Sequence, residues 1–508
     1  MRDNSLLFQG KDWDFETIER IYNAVAQIAD EELGLDTFPN RIEVITAEQM
    51  LDAYASTGMP LFYRHWSFGK RFAQHADIYR MGLQDLAYEI VINSSPCVAY
   101  VMEENTATMQ ALVIAHAAFG HNHFFKNNYL FRQWTDPAGI LDYLAYAKNY
   151  IAKCEERHGQ AEVERLLDAA HALMPQGVHH YPRKKSLDLR SEEKRDRERM
   201  QEQERLYNDL WRTVPGRSPQ LTRKPLDRQR AMLGLPQENI LYFLEKFAPK
   251  LQAWQREVLR IVRLIAQYFY PQQQTKVMNE GCATYCHYRI MNTLHEMGRI
   301  SDGSFLEFLR SHTNSIRQPT CYDPLYHGFN PYAVGFDMMS DIARIVRQPT
   351  EEDRAWFPDI AGQGDEMRVL RDIWANYRDD SFIAQFLSPN LIRKWRLFHV
   401  VDEDNEAQLE VRAIHNERGY HDLRRSFAAE YEVGRQFPDI QVVDVDLSGS
   451  RKLVMHHRAV NGGLLELGSA SRVLAQVANI WGYEVLLEEI DAASEQVVKS
   501  HIASPALH

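Results

Sequence analysis

The 508-residue sequence lacks any run of about 18 apolar residues, the length a helix needs to cross a bilayer, and its opening stretch MRDNSLLFQGKDWDF lacks the apolar segment of a secretion signal. Neither membrane insertion nor secretion is expected. Cysteine is scarce: Cys97, Cys154, Cys282, Cys286 and Cys321 are too few for a disulfide framework in so long a chain, and the odd number leaves at least one unpaired. A reducing cytoplasm is the expected location. Positive charge is in deficit, with 58 Lys and Arg against 70 Asp and Glu and a formal net charge of −12. Nucleic-acid phosphates repel such a chain as a whole, so nucleic acid is not an expected partner. Internal repeats are missing as well.

One segment departs from the acidic balance. From Arg183 to Arg230 there are fifteen Lys or Arg and nine Asp or Glu, a local excess of +6, and Pro215, Gly216, Pro219 and Pro225 interrupt its second half. It reads as a solvated linker and helix, or as a docking surface for an acidic partner.

What remains is an ordinary globular composition, 45% hydrophobic and 25% charged, in a chain longer than one core usually serves. Ile18, Ile21, Val25 and Ile28 predict an amphipathic helix within residues 12–33, and RIEVIT (41–46) is strand-like. A further helix is expected around Gly69 to Arg80. YEIVIN (88–93) and CVAYVM (97–102), separated by turn residues, predict a hairpin. Asn105 or Thr106 then caps a helix through TMQALVIAHAAFGHNHFF. Helices are expected over 139–173, 239–268 and 276–298. After Leu391 short β-rich runs at 395–401, 407–414, 440–447, 451–458 and 483–490 alternate with helical stretches near 420–434 and 468–480.

The expected class is α+β: a mainly helical N-terminal region with a small hairpin or sheet, and a smaller C-terminal α+β domain. The expected units are an α+β unit with a His-rich helix (1–180), a charged linker (181–236), a helical unit completing the site (237–390) and the C-terminal domain (391–508).

Chemistry concentrates in two places. His116, His121 and His123 fall within eight residues, and imidazole is the commonest protein ligand for zinc. On a regular helix His116 and His123 share a face but stand about 10 Å apart, whereas His116 and His121 are rotated by roughly 140°. Neither pair chelates easily unless Gly120 distorts the helix; alternatively, Gly120 lets another backbone pack close. The second cluster, NEGCATYCHYRI (279–290), places Glu280 and His287 on one helical face. Glu280 offers the carboxylate that a two-His site lacks, with His287 as a fourth ligand or proton donor, and a divalent metal, zinc foremost, is the expected cofactor. A metal-free polar core and a metal-free catalytic site remain open readings. Cys282 and Cys286 read as packing residues. Glu89, Glu103 and Glu104 are candidate general bases, with Glu89 foremost. The stretch 312–336, dense in His, Asn, Tyr and Pro, reads as a loop: either its His312, Asn314, His327 and Tyr332 are candidate substrate contacts, or it is a well-ordered structural loop.

The order of hairpin, His helix and later N-E-G helix is similar to that of gluzincin metallopeptidases, which carry H-E-x-x-H with a glutamate after the first His; here that position is Ala117 and the His spacing is five. Several longer blocks, YRHWSFGK (63–70), AHAAFGHNHFFKNNY (115–129), DYLAYAK (142–148), NEGCATY (279–285) and NPYAVGF (330–336), resemble the SpoVR family, relatives of stage V sporulation protein R, over essentially the whole chain. That resemblance implies a bacterial protein tied to spore-cortex assembly in spore formers or to stress and stationary-phase physiology. It also implies work beside a PrkA-type serine protein kinase and a partner with a von Willebrand-like domain. It carries no catalytic residues. Two functions are thus expected: a metal-dependent hydrolase of peptidase or amidase type, or a non-enzymatic regulatory scaffold.

Overall fold

The computed structural model describes residues 5–55, 63, 65–66, 89–180, 233–319, 323, 328–401, 410–432, 437–447, 449–460 and 463–506. The basic segment 183–230, the helix expected around Gly69 to Arg80 and His327 lie outside the described residues. The chain forms two compact units, residues 1–160 with 268–436 and residues 161–267 with 437–508.

In the first unit, α1 (Phe15–Glu31) buries the predicted stripe of Ile18, Ile21, Val25 and Ile28, and the Asp14 carboxylate caps it by accepting the Thr17 N–H at 2.7 Å. Three strands follow: β1 (Asn40–Ile45), β2 (Glu89–Ile92) and β3 (Cys97–Met102). The hairpin forms as expected, and β1 joins it in parallel on the far side of β3. All six residues of central β3 are buried, which accounts for its unbroken apolar sequence.

Helix α2 (Ala107–Val113) starts at Thr106, whose hydroxyl accepts the Met109 N–H at 3.2 Å. It runs into a π-helix over Ile114–His121 and returns to α-helix at Asn122–Asn127. Every residue from Ala107 to His121 is buried, as befits a helix apolar on all sides. The central element is α3 (Lys276–Glu296), whose first turn is anchored by Asp379; its carboxylate accepts the Val277 and Met278 N–H groups at 2.8 and 2.9 Å. Small residues let α3 sit unusually close to two neighbours. A Cβ on Gly120 would lie 2.5 Å from Ala283 Cα, and one on Gly281 would lie 2.6 Å from Gly335 Cα.

The stretch 312–336 is helical at both ends. Helix α4 (Asp302–Ser315) contains His312, and α5 (Pro331–Arg347) begins at an Asn330 cap followed by proline, a favourable helix start. The expected helix over 139–173 divides at Gly159, which has φ +86; the one over 239–268 divides into Ile240–Phe247 and Ala253–Gln274. The β-rich stretch after Leu391 is shared between the units. Strands β4 (His399–Val401) and β5 (Glu410–Ala413) with α6 (Glu417–Ala429) fall in the first.

In the second unit, β6 (Ile440–Val445), β7 (Leu453–Ala459), β8 (Val485–Asp491) and β9 (Val497–Ala503) form a sheet in that order. The parallel pair β7 and β8 is joined by α7 (Leu467–Trp481). Leu453, Met455, Val485 and Leu487 are buried, as are Leu474, Val477, Ala478 and Trp481 of α7. Among the described residues no helix is long and apolar enough to cross a membrane.

Candidate metal centre

The π-helix decides which histidines meet. Its i→i+5 bonding, seen in the Asn122 N–H donated to Ala117 O, widens the turn so that residues five apart stack on one face. His116 and His121, which a regular helix would splay, therefore stand with ring centroids 4.6 Å apart. Gly120 serves both expected purposes: it lies within the distorted stretch and admits the α3 backbone at Ala283.

Two carboxylates converge on this pair. Glu89, the first residue of β2, places Oε1 3.1 Å from His116 Nε2 and 3.8 Å from His121 Nε2. Glu280, in the first half of α3, places Oε2 3.8 and 3.5 Å from the same two nitrogens. An ion bound tetrahedrally at about 2.0–2.1 Å from each donor separates neighbouring donors by roughly 3.3–3.4 Å, and the four measured separations bracket that value. Donor atoms of Glu89, His116 and His121 all lie within 4.8 Å of one another. The Glu280 Oε2 atom is buried without a hydrogen-bond partner, the state of an acceptor awaiting a cation or a proton donor.

Electrostatics divides the two acids. Burial, reinforced by the nearby Glu280 charge, pushes the Glu89 carboxyl well above its usual range. Burial also acts on Glu280, but His121, His116 and a hydrogen bond from Tyr332 outweigh it and hold this carboxyl below its usual value. Burial pulls His116 down to about 4, despite the opposing pull of Glu280, so its ring is neutral near pH 7.

Behind His116 runs a line of imidazoles. Its Nδ1 lies 2.8 Å from His287 Nδ1, and His287 Nε2 lies 2.9 Å from His312 Nδ1. Both nitrogens of His287 thus face other histidines. Burial holds His287 well below its usual value and His312 at about 4, helped in each by neighbouring imidazoles. His121 Nδ1 lies 2.9 Å from Asn279 Oδ1, and the Tyr332 ring stacks beside His116 at 6.2 Å.

The other sequence candidates sit elsewhere. His123 turns its Nδ1 to the Asp36 backbone, accepting that N–H at 2.9 Å, with its ring against Trp374. Glu103 is exposed, and Glu104 accepts the Ala47 N–H at 3.2 Å. Cys282 and Cys286 are buried in the core, as packing residues are. Asn279 was not singled out beforehand, although its place in the N-E-G motif was a usable signal.

The family model described as SpoVR like protein matches residues 12–436, and the SpoVR-like C-terminal domain matches residues 438–492. The chain belongs to the SpoVR family. It is 50% identical over 488 residues to a protein of Escherichia coli (strain K12) named Uncharacterized protein YcgB, covering 96% of this chain and 94% of that one. No solved structure matches it. The C-terminal family domain starts just past the point where the chain enters the second unit for the last time, at Phe437.

Proposed function

We propose that this cytoplasmic protein binds a divalent metal, zinc foremost, through Glu89, His116 and His121, and hydrolyses an amide or peptide bond there. The observation that carries the reading is the compact set of three donors, half-buried Glu89 and buried His116 and His121, with a second carboxylate facing it. A divalent ion held by these three residues would supply a Lewis acid to activate water as a nucleophile. Glu280 is the general base: it is held ionised, and its unpartnered Oε2 faces the same space. The two carboxylates thereby exchange the parts expected from sequence, because Glu89 belongs to the tighter donor set. Tyr332 positions Glu280 through its hydrogen bond.

The ring tautomers follow from one requirement. With His116 Nε2 acting as a ligand, its proton sits on Nδ1 and is donated to His287 Nδ1; His287 then carries its own proton on Nε2 and donates it to His312. His287 is thus a positioning residue, and Asn279 does the same for His121. The gluzincin likeness reduces to a His pair and an N-E-G glutamate, without the glutamate of H-E-x-x-H.

The test is elemental mass spectrometry on protein purified without chelator, beside His116→Ala and Glu89→Gln. Near-stoichiometric metal, lost in both variants, is expected; a metal-free wild type removes the basis of the proposal.

A second reading is a regulatory protein working with a PrkA-type kinase and a von Willebrand-like-domain partner, its polar centre serving only to hold the fold. Buried Ala117, where a zincin has its glutamate, favours it. Full biological activity of a His116→Ala, His121→Ala double variant that still binds the kinase would select this reading over the first.

A further inference from the structure

Away from the histidine cluster, sharing no residue with it, a cavity of about 670 Å³ lies against α6, lined by Ala384, Glu417, Arg418, His421, Arg424 and Arg425. Its volume is in the range of small-molecule sites. The α6 residues recur at spacings of three, four and seven, so they share one helical face. In a chain with a net charge of −12, three arginines lining one cavity is a local reversal of sign.

Arg424 is the most informative of them. Its guanidinium stacks on Trp356 at 4.7 Å and on Phe357 at 5.4 Å, and its Nε donates to Leu387 O at 2.8 Å. Its Nη2 is buried without a hydrogen-bond partner. Among the described residues no carboxylate pairs with it, and burial alone pulls its pKa down to about 10. A desolvated guanidinium with no counter-charge is costly in a ligand-free protein. The surroundings instead hold it rigid: Trp356 carries Arg424 and also the His421 ring, stacked at 4.4 Å. A guanidinium fixed in this way and lining the cavity offers N–H donors suited to the oxygens of a phosphate or carboxylate. Arg418 and Arg425 are mostly exposed and share Asp422, leaving further N–H donors on the same face.

We propose that this cavity binds a small ligand carrying phosphate or carboxylate groups, with Arg424 gripping one oxyanion and Arg425, Arg418 and His421 supplying the surrounding positive field. Arg425 beside Arg424 favours a ligand with more than one anionic group over a single ion. Glu417, next to Arg418, sets the acidic limit of the site and disfavours anions at that end.

The test is calorimetric titration of the full-length protein with inorganic phosphate, pyrophosphate and citrate at low and moderate salt. Saturable binding of pyrophosphate, tighter than that of phosphate, weakened by salt and reduced at least tenfold in Arg424→Met and Arg425→Ala, is the expected result. Citrate separates the sources: binding comparable to pyrophosphate assigns the site to polycarboxylates as well, and its failure restricts the ligand to phosphates. No saturable binding of any of the three at millimolar concentration overturns the proposal, as does undiminished binding in Arg424→Met. If Arg424→Met lowers the urea midpoint, exposed Arg425→Ala decides, and unchanged affinity there is fatal.

Discussion

Replacing Gly120 with alanine sets two magnitudes against each other at the place where fold and site meet. Intrinsic helix propensity alone favours alanine by about 1 kcal/mol. Against it, the new methyl group would lie 2.5 Å from Ala283 Cα and 2.9 Å from Ala283 Cβ, where carbon atoms prefer about 3.5–4.0 Å. Relief requires the π-helix and α3 to part by roughly 1 Å, and overpacking of this kind typically costs about 1–3 kcal/mol. The steric term is the larger, so a net destabilisation of about 1 kcal/mol is expected, read as a lower urea midpoint at unchanged slope. The same separation carries His116 and His121 away from His287 and Asn279 of α3, the residues that orient their rings. Zinc affinity, measured by competition with a chromophoric chelator, is expected to weaken about tenfold, equivalent to about 1.4 kcal/mol. A variant more stable than wild type, or one that is destabilised but binds zinc as well as wild type, would refute the claim that this helix contact sets the donor geometry.

Burial and the Glu280 charge push the Glu89 carboxyl well above its usual range in the metal-free protein. Zinc binding to the wild-type protein near pH 7 is therefore expected to release a proton, checked by calorimetry in buffers of different ionisation heat; binding with no proton release would rule out Glu89 as a proton source. His287→Ala is expected to weaken metal binding by about 10- to 100-fold, the usual cost of losing a partner that orients a ligand, with cobalt absorption reporting the altered geometry; an unchanged spectrum and affinity would remove His287 from that role. In the second unit, burial acts to raise the Glu238 carboxyl, but the nearby His179 ring and hydrogen bonds from His180 prevail and hold it at about 2, against an ordinary 4.5. A depressed carboxylate contributes stability above its unfolded value and loses it as pH falls toward the folded one. Glu238→Gln should therefore flatten the acid side of the stability profile between about pH 4.5 and 2. A profile identical to wild type would contradict the pairing.

The parts legible in advance were those encoded by local spacing. The apolar stripe of α1 and the β2–β3 hairpin each follow from residues within one or two turns or a single strand pair and formed as read, and of the two cap candidates, Asn105 and Thr106, the structure uses Thr106. The metal-capable residue types were also legible, because His and Glu in short blocks are visible without a fold. The edge strand β9 was missed: VVKSHIA interleaves polar with apolar residues and leaves Val497, Val498 and Ile502 exposed, so it carries little apolar signal. The stretch 312–336 read as a loop because its His, Asn and Pro are loop-like in composition, yet the same residues cap and start helices.

The sequence by itself determined the family, the mainly helical character and the inventory of candidate ligands, since periodicity, caps and motif order are properties of neighbouring residues. Tertiary structure alone decided which of those ligands meet. A spacing of five is unfavourable on an α-helix, and the π-helix that makes His116 and His121 adjacent is packed against α3 through Gly120 and Ala283. Glu89 reaches the pair from a strand edge and Glu280 from a distant helix, while His123, closer in sequence than either, is turned away toward Asp36. Contacts of such long separation are set by which surfaces pack together, and no local pattern in the chain records that.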